Sequence, residues 1–137
     1  MGERVLDANE VSAGDAGPAT QHKLTRTDLV MYAGASGDFN PMHTDEISAQ
    51  AAGLPSVFGH GMFTAGLLAT AVTNYVGVGN LKSYRVRFTK QTWPGEVLTT
   101  NVTVREKRPG NEVVLDCSVV NEAGEEKIRG EAVAVLA

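Results

Sequence analysis

Asp38 and His43 stand five positions apart in the stretch Gly37-Asp38-Phe39-Asn40-Pro41-Met42-His43. A carboxylate and an imidazole a few ångströms apart can hold one water and move protons to and from it. Acid/base catalysis is therefore the first reading. The stretch is not expected to be regular helix. The helical pattern before it runs out at Gly34 and Gly37, and Pro41 biases Asn40 away from the right-handed helical region. Both side chains are then expected on a turn between two helices, free to converge on one point. Asp and Asn also cap turns. Taken alone, the stretch is read equally well as a turn with an exposed loop histidine.

A second segment supplies what such a pair lacks. His60-Gly61-Met62 opens an uncharged run that reaches Gly77. The first amides of a helix have no intrahelical partner, and the helix dipole is positive there. Gly61 lets a ligand approach the backbone closely. A plain loop-to-helix junction, with His60 satisfying local backbone, is the bland alternative. Together the two segments suit one reaction class, addition of water across a double bond conjugated to a carbonyl. Asp38 and His43 would handle the water and the proton. The amides at Gly61 and Met62 would hold the charge that builds on the carbonyl oxygen.

The elements that must position these groups divide the chain into a helical half and a strand half. Residues 1–19 read as an irregular lead-in or first strand. Thr25 is a helix N-cap with Asp28 in the capping-box place, and Leu29, Tyr32 and Ala33 form a short apolar stripe. Thr44 is read as the cap of a second short helix over 45–52, ended by Gly53-Leu54-Pro55. The run from His60 to Gly77 predicts a helix buried on most sides. Tyr84, Val86 and Phe88 alternate with Arg85 and Arg87, a period-two strand. Turns at Thr92-Trp93-Pro94-Gly95, Pro109-Gly110-Asn111 and Glu122-Ala123-Gly124 separate further strands over 97–107, 112–120 and 127–136. Successive short turns predict an antiparallel meander. The expected architecture is α+β, one buried helix packed in an antiparallel sheet.

Composition narrows the class. With 137 residues the chain is expected to be one domain with a proper core. A net charge of -4 gives no electrostatic case for nucleic acid or a membrane surface. No apolar run is long enough for a bilayer, and the N-terminus has no signal-peptide core, so a cytoplasmic protein is expected. Cys117 is the only cysteine. It sits in a strand-like run with no base nearby, which reads as a buried structural thiol.

The stretch from Tyr32 to Asp45 resembles the signature of the MaoC-like, or hydratase 2, group of hot-dog-fold enzymes. Phe58-Gly59-His60-Gly61-Met62 resembles that group's second motif, and Tyr84-Arg85-Val86-Arg87-Phe88 with Pro94-Gly95-Glu96 adds weaker support. The likeness runs from about residue 20 to the end. It implies a hot-dog fold and an active unit of at least two subunits. It also implies reversible hydration of a trans-2-enoyl thioester, on CoA or acyl carrier protein, to the (3R)-3-hydroxyacyl thioester, with no cofactor. By the same resemblance Asp38 and His43 are catalytic, Asn40 supports them, and Gly61 supplies the oxyanion amide, with Met62 and His60 beside it. The mechanism this implies has Asp38 deprotonating the water and His43 delivering a proton to the α-carbon from the same side. The chain is also similar to the catalytic subunit of mycobacterial (3R)-hydroxyacyl-ACP dehydratases, which pair with a related subunit. A homodimer and a heterodimer both stay open.

Several rival readings stand beside this one. Lys82, Arg85, Arg87, Lys90, Lys107 and Arg108 are candidates to meet the carrier's phosphates, or else an ordinary solvated face; Arg85 and Arg87 are the preferred pair. His43-Thr44-Asp45 with His60 has the composition of an iron triad, but Thr44 and Asp45 look like a helix start, and no metal is expected. A hot-dog thioesterase would not call for the Asp38/His43 pair. A non-catalytic partner subunit would lack one of the two. Leu67, Leu68, Val72 and Tyr75, with 54–58, are candidates to shape an acyl tunnel.

Overall fold

Helices and strands are described for residues 6–137 in a computed structural model of the chain. The readings that fall on residues 1–5, including the start of the lead-in and the missing signal peptide, lie outside the described residues. Beyond them the lead-in is irregular but tied down. A short 3-10 helix, Ala8–Glu10, is capped by Asp7. Gly14 and Gly17 donate their amides to Val104 and Val102 at 2.8 and 2.9 Å, and Ala8 and Val11 join the core.

β1, Gln21–Lys23, lies between the lead-in of residues 1–19 and the helical half that starts at Leu24. α1, Arg26–Ser36, starts on the full capping box of Thr25 and Asp28. It runs through Gly34 and ends at Gly37, whose φ of 78° is left-handed. α2, Pro41–Thr44, is a single turn capped by Asn40 with Pro41 at its first position. α3, Glu46–Ala51, is capped by Asp45. Thr44, expected to be that cap, is still inside α2, while the Asp45 carboxylate accepts the amides of Ile47 and Ser48.

α4, Gly61–Val76, packs against β2 to β5, which are Leu81–Phe88, Val97–Arg108, Glu112–Val120 and Glu126–Val135. Leu68, Val72 and Val76 are fully enclosed and meet the inward set Val113, Leu115, Cys117 and Val119 of β4. Each such aliphatic side chain contributes about 1.5–3 kcal/mol on burial. As expected, α4 is buried on most sides, and one face of it stays open. Gly61, Met62, Gly66, Thr70 and Asn74 form an exposed stripe. A helix without charges can still present glycine, threonine and asparagine to solvent.

The sheet is antiparallel with the order β1-β3-β4-β5-β2. β3, β4 and β5 form the expected meander. β2 departs from it: it pairs with β5 at the far edge, not with β3. The segment 89–96 is therefore a crossing connection and no hairpin. Thr89 and Lys90 donate amides to Lys127 at one end, and Gly95 donates to Leu24 at the other.

Candidate active site

The loop between α1 and α2 is built from local side-chain caps. Gly37 turns the chain back over the end of α1, its amide on the Ala33 carbonyl at 2.9 Å. The Asp38 amide donates to Ser36 Oγ at 3.1 Å, the Asn40 amide to Asp38 Oδ1 at 3.3 Å, and the Met42 amide to Asn40 Oδ1 at 3.0 Å. Each short polar residue caps the next few amides, so a sequence dense in Ser, Asp and Asn folds into consecutive turns. Asp38 is thereby held facing α2, with its side chain 51% exposed.

His43 is set from the other side. It is buried, and its Nδ1 lies 2.6 Å from the Phe58 carbonyl. A carbonyl only accepts, so Nδ1 carries the hydrogen, and Nε2 is the nitrogen left for proton traffic. Nε2 stands 3.9 Å from Asp38 Oδ2. That is too long for a direct hydrogen bond and right for a water bonded to both.

His60 closes the group. It occupies the N-cap place of α4 but makes no side-chain cap bond. Its Nε2 instead donates to the Asp38 carbonyl at 3.0 Å. The His60 ring stacks on His43 with centroids 4.0 Å apart, and Tyr32 packs on its other flank at 4.9 Å. His60 thus buttresses both the Asp38 main chain and the His43 ring. Among the described residues no side chain caps the amides of Gly61 and Met62, at the positive end of a 16-residue helix.

Asp38, His43 and His60 offer ligand atoms that all lie within 4.8 Å of one another. Metal ligands must aim in-plane lone pairs at one point. The two rings are instead stacked at 27°, and one nitrogen of each is already committed to a carbonyl.

Gly59 and Gly61 also line a cavity of about 290 Å³, together with Phe58, Thr64, Phe88, Thr92 and Ile128. Its rim is tight where the glycines stand. A Cβ on Gly59 would run into Thr92 Oγ1, and one on Gly61 would sit 2.9 Å from the Phe88 ring.

The structure therefore brings Asp38, His43, His60 and the start of α4 together. Asn40 acts through its cap on α2 and its amide on Asp38. The Met62 side chain is 62% exposed, so only its backbone can serve as a donor. Arg85 and Arg87 are not brought to this place. They lie on the sheet face opposite the core-packed Tyr84 and Val86, and Arg85 is paired with Glu131. Leu68 and Val72, considered for a tunnel, are core fillers. Cys117 is buried as expected, and burial pushes its thiol up to about 11. Two parts of the site have no side-chain signature: the Phe58 carbonyl that orients His43, and the Thr92 carbonyl that accepts the Gly59 amide at 2.8 Å. The glycines flanking His60 are the one sequence signal of that close packing.

An antiparallel sheet on one long helix, with a carboxylate and imidazole facing an uncapped helix start, defines a hot-dog-fold domain. The MaoC like domain matches residues 11–125, and the chain belongs to this family. It is 34% identical over 110 residues to the fatty acid synthase subunit beta of Aspergillus oryzae, covering 77% of this chain and 5% of that protein. It is 39% identical over 93 residues to 3-hydroxyacyl-thioester dehydratase Y of Mycobacterium tuberculosis, covering 65% of this chain and 31% of that one. The chain thus spans less than a third of these curated relatives. In structure it is similar to the R-hydratase PhaJ1 from Pseudomonas aeruginosa, with a TM-score of 0.84, 30% identity, and 95% and 84% of the two chains covered. Among the described residues no helix is long and apolar enough to cross a membrane.

Proposed function

We propose that the chain catalyses the reversible addition of water to a trans-2-enoyl thioester, giving the (3R)-3-hydroxyacyl thioester. The observation that carries this reading is the 3.9 Å gap between Asp38 Oδ2 and His43 Nε2, open to one water, beside the free amides of α4. The water would bridge the two side chains. Its oxygen bonds to the β-carbon, and the π pair moves toward the carbonyl. The amides of Gly61 and Met62 hold the resulting enolate oxygen. With Nδ1–H donated to Phe58, a neutral His43 presents a lone pair at Nε2. It takes the water's proton and returns it to the α-carbon on the same face, a syn addition. Asp38 accepts the water's second hydrogen and stabilises the transient imidazolium. Relative to the mechanism implied by resemblance, the tautomer moves the base role from Asp38 to His43.

The substrate would be an acyl thioester on CoA or an acyl carrier protein. The partner would be a second hot-dog subunit, a copy or a relative. β2 is an open sheet edge eight residues long, and such an edge calls for a cover. The deciding assay follows loss of enoyl-thioester absorbance over a series of chain lengths on both carriers, with free thiol measured in parallel. Absorbance loss without thiol release is expected. Thiol release alone would make the chain a thioesterase, and no change in either would sink the reading. Sedimentation of the purified chain, alone and with a candidate partner, tests the subunit count.

A further inference from the structure

Lys127 is a lysine with only 2% of its surface exposed, at the start of β5. Its Nζ lies 2.9 Å from Glu96 Oε2 and 2.9 Å from the Gln91 carbonyl. Glu96 is satisfied in turn. Its Oε1 accepts the Trp93 amide at 2.6 Å, and its Oε2 also accepts Asn121 Nδ2 at 2.7 Å. Both charged ends therefore grip the crossing connection 89–96. Burying an ion pair is an inefficient route to stability, since apolar residues of similar volume often serve as well or better. Directional hydrogen bonds, in contrast, fix positions that apolar packing leaves loose.

The gripped segment leads to the catalytic pair. Lys127 holds the Gln91 carbonyl. The next residue, Thr92, accepts the Gly59 amide at 2.8 Å, and the residue before Gly59, Phe58, holds His43 Nδ1 at 2.6 Å. The route from Lys127 to the imidazole is three hydrogen bonds, each separated from the next by one peptide unit. The Trp93 ring meets the Phe58 ring edge to face at 6.0 Å, a second link along the same path. His60, one residue past Gly59, holds the Asp38 carbonyl and begins α4.

We propose that the buried Lys127–Glu96 pair is a positioning device for the reaction: by fixing the 91–93 backbone it sets the Phe58 carbonyl, and so the placement of His43 against Asp38. Lys127 and Glu96 touch no reacting atom; they act through Thr92, Gly59 and Phe58. This rests on the hydration reading above, so its test carries one arm that does not need turnover.

The test compares wild type with the double variant Lys127→Met, Glu96→Gln. Both charges go, and a carboxamide remains to accept the Trp93 amide. One arm is steady-state hydration of an enoyl-CoA. A kcat lower by about 100-fold is expected, the cost of a small misplacement of reacting groups, with KM changed by less than about 3-fold. The other arm is proton NMR of the His43 Nδ1–H, slow to exchange in the wild type while it is held by Phe58. In the variant it is expected to exchange rapidly or broaden away. A folded variant with wild-type kcat and an unchanged His43 resonance overturns the proposal. Glu96→Gln alone, which keeps the side chain's shape and removes its charge, is read in the same two assays should the double variant not fold. If wild type hydrates nothing, the hydration reading fails, and the NMR arm still decides whether Lys127 sets His43.

Discussion

Two charged groupings on this chain differ by one feature, whether they close on themselves. On the sheet's outer face Arg105 reaches Asp116 at 2.9 Å and Glu131 at 2.7 Å, and Arg85 joins Glu131 at 3.2 Å. Each of these four charges meets another of the group. Hydrogen bonding to Arg105 holds the Glu131 carboxyl below its ordinary value, with the Arg105 and Arg85 charges adding to the effect. Asp38 in the loop between α1 and α2 and His43 on α2 stand 3.9 Å apart and do not close. Each is tied elsewhere: Asp38 through Asn40 and His60, His43 through Phe58. In the closed network each charge already faces an opposite one. The open pair is held open by its other bonds, and that gap makes room for a water.

Breaking the open pair should give the largest effect of any change considered. Asp38→Asn keeps the side chain's size and its acceptor for the Asn40 amide, but replaces one carboxylate oxygen with a donor. A fall of about 10³-fold in kcat is expected, within the usual worth of a positioned acid/base group, with the circular dichroism spectrum and melting midpoint unchanged. Wild-type turnover in that variant would remove Asp38 from the mechanism.

A smaller and different effect comes from disturbing what holds the pair apart while leaving its charges in place. Gly59→Ala puts a methyl against Thr92 Oγ1 and 3.1 Å from Leu24 Cδ2. Overpacking of this kind costs about 1–3 kcal/mol, measurable by denaturant unfolding. Because Gly59 adjoins the Phe58 carbonyl, kcat should fall as well. Arg105→Ala on the outer face is the counterpart. It should leave kcat unchanged and shift melting by less than about 2 °C, since exposed pairs contribute little. A large loss of activity in Arg105→Ala would mean the two regions are not independent.

How much of this was legible depended on range. The capping box of Thr25 and Asp28 and the left-handed stop at Gly37 are local, and both were readable. β4 falls on Glu112–Val120, the strand expected from its flanking turns. The pairing of β2 with β5 was not readable, because nothing in 81–88 encodes a partner some forty residues on. The absence of charge in α4 marks a mostly buried helix but does not say which stripe of it stays open. Asp38 and His43 could be named from their types and spacing, and the second motif pointed to Gly61. The carbonyls of Phe58 and Thr92 could not, since every residue carries one. Lys127 gave no signal either. Lys127 and Ile128 are both enclosed, 2% and 1% exposed, which breaks the period-two alternation that would have flagged a lysine on the inner face.

The comparison also sharpens at Glu46, a closed pair that lies close to the open one. Glu46 Oε2 accepts from Arg26 at 2.7 Å, and its Oε1 accepts the Val57 amide at 2.9 Å, one residue before Phe58. The hydrogen bond from Arg26, with that amide, lowers the carboxyl from its ordinary 4.5 to about 2. Its value is depressed on folding, so its contribution to stability is complete above the unfolded value and is lost as pH falls from about 4.5 through about 2. Glu46→Gln should therefore melt below wild type at neutral pH, and the gap should narrow on acidification and vanish below a pH of about 2. The shift in midpoint is expected to be small, because the pair is exposed and screened. A gap that stays constant with pH would mean that the carboxamide loses shape or packing and that charge has no part in it. The position of the Val57 amide would then not depend on the ionisation of Glu46.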